Sequence, residues 1–303
     1  MTTHALPVPA PARPPSLASS IRSLAVVAAL ASFAPFVQGC KDQAKESATR
    51  AARDVGDLAT LVDKDVAEVD HGMPEGAKKL AALLAGGADP KADPAGVRKA
   101  LQRARRDVME LSIAKSTFFA LADPSGVAIR NDLEEDVMAG QNLFSIFPAL
   151  AKAKDGYVTT TGAFPNASTK NGPDRDWIAA IPVKGEGGAT GAVFVTGWTY
   201  RYFARHLQES LKDRLTDEAK KSGDEGKIPV FYVAVFDKTG VYPAPLTPAV
   251  DEKALGEQAL VDKTAGGAAQ GTLTITDRGF GWAAARTPKL APDTGIVVLR
   301  SEL

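Results

Sequence analysis

Phe231-Tyr-Val-Ala-Val-Phe-Asp-Lys-Thr-Gly-Val241 repeats a stretch found earlier in the chain, Thr117-Phe-Phe-Ala-Leu-Ala-Asp-Pro-Ser-Gly-Val127. In both, an apolar strand runs into Asp-x-x-Gly-Val, from Asp123 to Val127 and from Asp237 to Val241. Asp123-Pro-Ser-Gly126 carries the residues of a β-turn, with Pro at its second place and Gly at its fourth. Two further blocks recur in the same order. Trp282-Ala-Ala-Ala-Arg-Thr-Pro-Lys289 matches Trp177-Ile-Ala-Ala-Ile-Pro-Val-Lys184, and Thr294-Gly-Ile-Val-Val-Leu299 matches Thr190-Gly-Ala-Val-Phe-Val195.

Working outward from these blocks, each copy reads as strand–turn–strand, a helical crossover and three antiparallel strands. Tyr157–Phe164 is a strand by its β-branched content, and Asn142–Lys152 a short helix broken at Pro148. Residues 176–183 and 191–198 form a hairpin around the Gly-rich segment 185–191. A helix over 200–220 carries Phe203, Leu207, Leu211 and Leu215 on one side. Residues 44–85 read as amphipathic helix through Val55, Leu58, Leu61, Val62, Val66 and Val69. Gly72-Met-Pro-Glu-Gly76 interrupts it, and a separate helical piece follows at 77–84. Residues 95–116 are helical again. The basic run Arg98–Arg106 on that helix reads as a solvated face, with anionic lipid headgroups as the sharper alternative.

The fold class is therefore α+β, two modules with antiparallel sheets in tandem behind long N-terminal helices. The order of elements resembles that of PAS-like sensor modules. The whole arrangement over 44–303 resembles the double Cache family of extracellular sensor domains. The expected division is 1–39 signal peptide, 40–116 helical segment, 117–200 first module, 201–228 connecting helix and 229–303 second module.

The N-terminus supports an exported chain. Arg13 and Arg22 precede an apolar run from Leu24 to Val37, and no acidic residue occurs before Asp42. That is an export-signal pattern, and the run is too short for the roughly 20 residues of a membrane span. Gly39-Cys40 at the junction resembles the lipobox of bacterial lipoproteins, with Gln38 a less usual neighbour. The resemblance implies cleavage before Cys40 and acylation of its sulfur. Cys40 is the only cysteine, so no intramolecular disulfide is possible. Lys41, rather than Asp, follows it, which implies the outer membrane rather than the inner.

Composition narrows the function. The chain has 303 residues, 36 basic and 36 acidic; without Arg13 and Arg22 the mature part carries 34 against 36. Such a balance leaves no electrostatic footprint for nucleic acid. His71 and His206 lie on separate helices, and no Gly-x-Ser-x-Gly, His-Glu-x-x-His or P-loop pattern occurs. The expectation is a non-enzyme without cofactor or metal.

Ligand binding is what remains. Arg175-Asp176-Trp177 opens the central strand of the first copy, and an Arg-x-Trp there resembles the amino-acid-binding version of double Cache domains. The resemblance implies that Arg175 takes a carboxylate and Trp177 lines the pocket. Tyr157 can add a hydroxyl, and Asp132 is the candidate for an amino group. Ile178 departs from the family pattern, which has an aromatic there. A competing reading makes Trp177 and Trp282 equivalent core residues of the repeat. The expected function is a lipid-anchored envelope sensor for a small carboxylate or amino-acid-like ligand, signalling through a partner protein. The alternative is a structural or assembly lipoprotein whose modules serve protein interaction.

Overall fold

The computed structural model describes residues 34–164, 174–224 and 227–302, with side chains from residue 43 onward. Residues 1–33 of the expected signal peptide 1–39, and the side chain of Cys40, lie outside the described residues. Residues 40–303 form one compact unit. Among the described residues no helix is long and apolar enough to cross a membrane.

The first helix, α1 (Ala34–Leu80), is continuous through the Gly-Met-Pro-Glu-Gly segment that the sequence reading takes as an interruption. The glycines serve packing instead. A Cβ on Gly72 would come within 2.8 Å of the Leu111 side chain, and one on Gly76 within 2.7 Å of Leu111 and 2.8 Å of Phe194. Pro74 gives up one backbone donor within the helix, while Met73 beside it is fully buried. Val55, Leu58, Val62, Val66, Val69, Met73, Ala77 and Leu80 form one buried stripe. The second helical stretch divides at Val108 into α2 (Pro94–Asp107) and α3 (Met109–Ile113). The side chain of Asp93 caps α2 by accepting from the Gly96 N–H.

The first module contains β1 (Phe118–Ala122), β2 (Ala128–Asn131), α4 (Leu143–Ile146), β3 (Val158–Gly162), β4 (Asp176–Lys184) and β5 (Thr190–Thr199). Helix α5 (Tyr200–Ser222) leads to the second module, with β6 (Val230–Asp237), β7 (Gly240–Pro243), α6 (Ala249–Gly256), α7 (Leu260–Lys263), β8 (Ala269–Ile275), β9 (Arg278–Arg286) and β10 (Gly295–Ser301). Both sheets are five-stranded, ordered β2-β1-β5-β4-β3 and β7-β6-β10-β9-β8, so the repeat read from the sequence is a repeat of topology. Every pairing is antiparallel.

One core joins α1, α2 and α5 to the inner faces of both sheets; it holds Phe119, Trp177, Phe194 and Trp198 of the first and Val233, Ala283 and Val298 of the second. The outer faces have separate cores, around Leu143, Phe147, Leu150 and Ile178 in the first module and Leu255, Leu260 and Trp282 in the second. Trp177 and Trp282 are thus not equivalent. Ala120 and Ala234 hold the same place in the repeated strands; they pair with Val195 and Val297, which pair in turn with Ala180 and Ala284. On that register Trp177 corresponds to Gly281 and Trp282 to Ile178, so the sequence match between the tryptophans is out by one residue. An odd shift in a strand turns a side chain to the opposite face.

α1 lies directly on the second module. A Cβ on Gly281 would meet the Ala48 backbone nitrogen at 1.9 Å, so only glycine admits the helix there. Asp54 of α1 sits between Arg300 of β10 (2.7 Å) and Arg214 of α5.

Candidate ligand site

The structure assigns each of the four candidate residues a partner within the protein. Arg175 places its Nε 2.6 Å from Asp237 Oδ2 of the second module, a close ion pair rather than an aligned hydrogen bond, and its Nη2 donates to Thr161 Oγ1 at 3.5 Å. Trp177 points inward, fully buried, and stacks on Trp198 at 4.3 Å between ring centroids. Trp198 stacks in turn on Phe203 at 4.6 Å. Asp132 accepts from the Phe119 N–H at 2.7 Å and lies 3.2 Å from Arg105 Nε, which ties β1 to α2. The Tyr157 hydroxyl donates to the Asp70 carboxylate on α1. Burial, reinforced by that carboxylate, holds the phenol above the ordinary tyrosine range, so it stays a donor at physiological pH.

The four therefore do not converge. Arg175 and Trp177 are two residues apart on one strand end but leave it in different directions: Trp177 enters the helix-side core, and Arg175 reaches the neighbouring module. For Arg175 to clamp a ligand carboxylate it would first have to release Asp237. The basic run of α2 is similarly engaged in part. Arg98 pairs with Glu134 and Arg105 with Asp132, while Val97, Ala100, Leu101 and Ala104 are buried.

Sequence reasoning missed the polar seam between the modules. Asp174 Oδ1 accepts from the backbone of Arg175 at 2.8 Å and of Arg201 at 3.2 Å. Arg201 Nη2 lies 2.6 Å from Glu252 Oε1 of α6, and its Nη1 donates to the Pro243 carbonyl at 3.5 Å. The Tyr200 hydroxyl meets Thr294 Oγ1 at 3.2 Å. The sequence held one clue, since Asp237 occupies the repeated Asp-x-x-Gly turn.

Asp176 lies in the same region, buried, with a long 3.4 Å bond from the Phe164 N–H. Burial pushes its carboxyl up to about 7, against 3.8 for an ordinary aspartate. The sign follows from linkage. As pH rises the unfolded chain ionises first, so this group lowers stability progressively between about pH 4 and about 7 and no further above that. Asp176→Asn is expected to flatten the decline and to exceed the wild type in urea midpoint at pH 8. An unchanged pH profile would show that Asp176 is ionised at no cost.

Two concavities accompany these residues. One, of about 440 Å³, lies between α1 and the first module, walled by Pro74, Ala77, Ala81, Tyr157, Ile181 and Pro182. Its rim carries Lys78, Asp155 and Lys184. Lys78 pairs with Glu75, whereas exposed Lys184 has no ion-pair partner among the described residues. The other, of about 410 Å³, lies in the second module between the turn 237–241 and residues 256–262. Among the described residues no group of three His, Cys, Asp or Glu side chains is placed to hold a metal. His206 Nε2 instead meets Asp65 at 2.9 Å.

Comparison with protein families and with curated proteins finds no match. Solved structures do match. The extracellular domain of the putative histidine kinase vpHK1S-Z8 superposes with a TM-score of 0.56 at 8% identity, over 86% of this chain and 93% of that one. A domain of a putative sensory box/GGDEF family protein from Vibrio parahaemolyticus gives 0.51 at 8% identity, over 86% and 97%. An extracellular ligand binding receptor from Desulfohalobium retbaense gives 0.45 at 11%, and this chain covers 83% of itself but only 40% of that receptor. At such identities the likeness is one of fold. With two five-stranded antiparallel sheets in one topology behind a long helix, the chain has the double Cache, PAS-like fold of extracellular sensor domains.

Proposed function

We propose that the chain is a lipid-anchored, non-enzymatic sensor of the cell envelope that binds a small carboxylate or amino-acid-like molecule in its first module and signals through a partner protein. The observation that carries this reading is the 440 Å³ cavity at the junction of the first module with α1. It combines apolar walls with a few polar groups, as small-molecule sites do. Tyr157, which the sequence singled out, forms part of its wall, and Lys184, without an ion-pair partner among the described residues, offers a cation to a carboxylate. Arg175, Trp177 and Asp132 are already engaged elsewhere, so in this reading they shape the module around the ligand. A ligand there touches α1 itself, the helix available to carry its effect to a partner.

Acylation at Cys40 fits the same geometry. Gly281 of the second module packs at Ala48 and Phe194 of the first packs at Gly76. At 1.5 Å per residue those points are about 40 Å apart along the helix. An anchor at Cys40 would thus hold the second module nearest the lipid and the ligand cavity well away from it. Lys41 points to the outer membrane. Cys40→Ser is expected to move the protein from the membrane to the soluble fraction of fractionated cells; a mutant that stays membrane-bound refutes the anchor.

A thermal-shift panel of amino acids and small carboxylates on the mature chain tests the ligand. We expect a hit whose shift is lost in Lys184→Gln and reduced in Tyr157→Phe. Loss in Arg175→Ala with retention in Lys184→Gln would move the site to Arg175. The second reading, a scaffold with ligand-free modules, is favoured by the packed outer core of the first module and by the internal partner of Arg175. It predicts no shift across the panel.

A further inference from the structure

Asp123 and Asp237 close corresponding turns in the two modules, and the two carboxylates are used alike. Oδ1 is spent inside the turn: that of Asp123 accepts from the N–H groups of Ser125 (2.8 Å) and Val127 (3.0 Å), that of Asp237 from the Thr239 N–H (2.7 Å). Oδ2 is offered outward and receives a cation from an earlier part of the chain. Lys91 Nζ stands 2.6 Å from Asp123, and Arg175 Nε stands 2.6 Å from Asp237. The repeated Asp-x-x-Gly motif is therefore both a turn and a socket.

Both carboxylates are buried, Asp123 at 9% and Asp237 at 5% exposed, but the cations differ: Lys91 is 54% exposed and Arg175 20%. A pair whose cation stays in solvent contributes less, whereas removing one partner of a more buried pair leaves a charge without compensation. Arg175 is also held through its backbone. Its carbonyl accepts from the Tyr200 N–H, the first residue of α5, at 2.6 Å. One residue thus grips the start of the connecting helix with its main chain and the second module with its side chain. Next to it, Arg201 binds Glu252 and the last carbonyl of β7. Asp237 already occupies the Arg175 guanidinium, which makes the place inhospitable to a further carboxylate.

We infer that the Arg175–Asp237 pair is a coupling clasp, which makes the β6–β7 turn of the second module follow the β4 end of the first. This goes beyond the ligand reading and does not depend on it. The Asp237 turn also walls the cavity of the second module, so a movement of Arg175 changes the shape of that cavity.

Hydrogen exchange on the full chain in detergent tests the clasp. Leu150→Val loosens the outer core of the first module, which contains neither Arg175 nor Asp237. In otherwise wild-type protein it is expected to speed exchange of the amides at 231–241 by about 5-fold, the size of a modest coupling between sites. In an Asp237→Asn background, which keeps the turn's acceptor but removes the charge, that transmission should fall to less than half. Arg175→Gln should abolish it from the other side, Arg175→Lys should restore part of it, and Lys91→Met should leave it intact. Equal transmission with and without the clasp overturns the inference, as does no transmission in the wild type. If Asp237→Asn fails to fold, Arg175→Gln against Arg175→Lys decides the matter alone.

Discussion

Trp198→Ala is expected to lower the unfolding free energy by about 3–5 kcal/mol, the cost of removing a fully buried large aromatic. Trp198 has no exposed surface and lies between two rings, Trp177 at 4.3 Å and Phe203 at 4.6 Å. The stack joins β4, β5 and the first turns of α5. Truncation leaves Trp177 and Phe203 facing a void that neither can fill, because both are held by their own strand and helix. The indole N–H of Trp198 has no partner among the described residues, so the effect there is one of packing. Trp198→Phe keeps a ring in the stack and is expected to cost less than half as much. Urea unfolding monitored by circular dichroism measures both. A loss under about 1 kcal/mol for Trp198→Ala would mean that the stack collapses to fill the space.

Asp54→Ala comes next in size, at about 3 kcal/mol, for an electrostatic reason. The Asp54 carboxylate, 2% exposed, is shared by Arg300 and Arg214 and so fastens α1 to β10 and α5 at once. Arg300 is buried, its side chain 6% exposed, and without Asp54 it keeps, among the described residues, only Glu302 at 2.8 Å. Arg214 is nearer to solvent and retains Glu218. Most of the penalty is therefore the buried Arg300 charge, which loses the more deeply buried of its two counter-ions and keeps only the more exposed Glu302 among the described residues. Adding Arg300→Met to Asp54→Ala should recover part of the loss, since an apolar side chain of similar length needs no counter-ion. If the double variant is no more stable than Asp54→Ala, the penalty lies in lost packing of α1 and not in the stranded charge.

Much of the architecture is legible along the chain because it rests on short-range pattern. The stripe from Val55 to Val69 marks α1 by helical period, and the Asp-x-x-Gly-Val blocks mark two corresponding strand–turn–strand units. Where the reading failed, the cause was a contact from elsewhere. Gly72, Pro74 and Gly76 look like a helix break, but Leu111 and Phe194 press against the two glycines, and tertiary packing outweighs local propensity. Trp177 and Trp282 align as letters yet face opposite sides of their sheets, since strand pairing, not similarity, sets which face a residue takes. The candidate site was legible only in part. Tyr157 does border a cavity, but the wall opposite comes from α1, some 80 residues earlier in the chain.

By itself the sequence determined the two-module α+β plan and the turn chemistry of Asp123 and Asp237, because both are written in blocks of about a dozen neighbouring residues. Only the tertiary structure decided what the charged groups do. Arg175 and Asp237 are 62 positions apart, and Asp54 and Arg300 are separated by 246. Nothing in the local pattern chooses among the acidic residues available to an arginine. The choice is made when α1 and the two sheets pack together, for burial then requires each buried charge to have a counter-charge within reach. Packing thereby turned an arginine that reads as a ligand clamp into the link between the two modules.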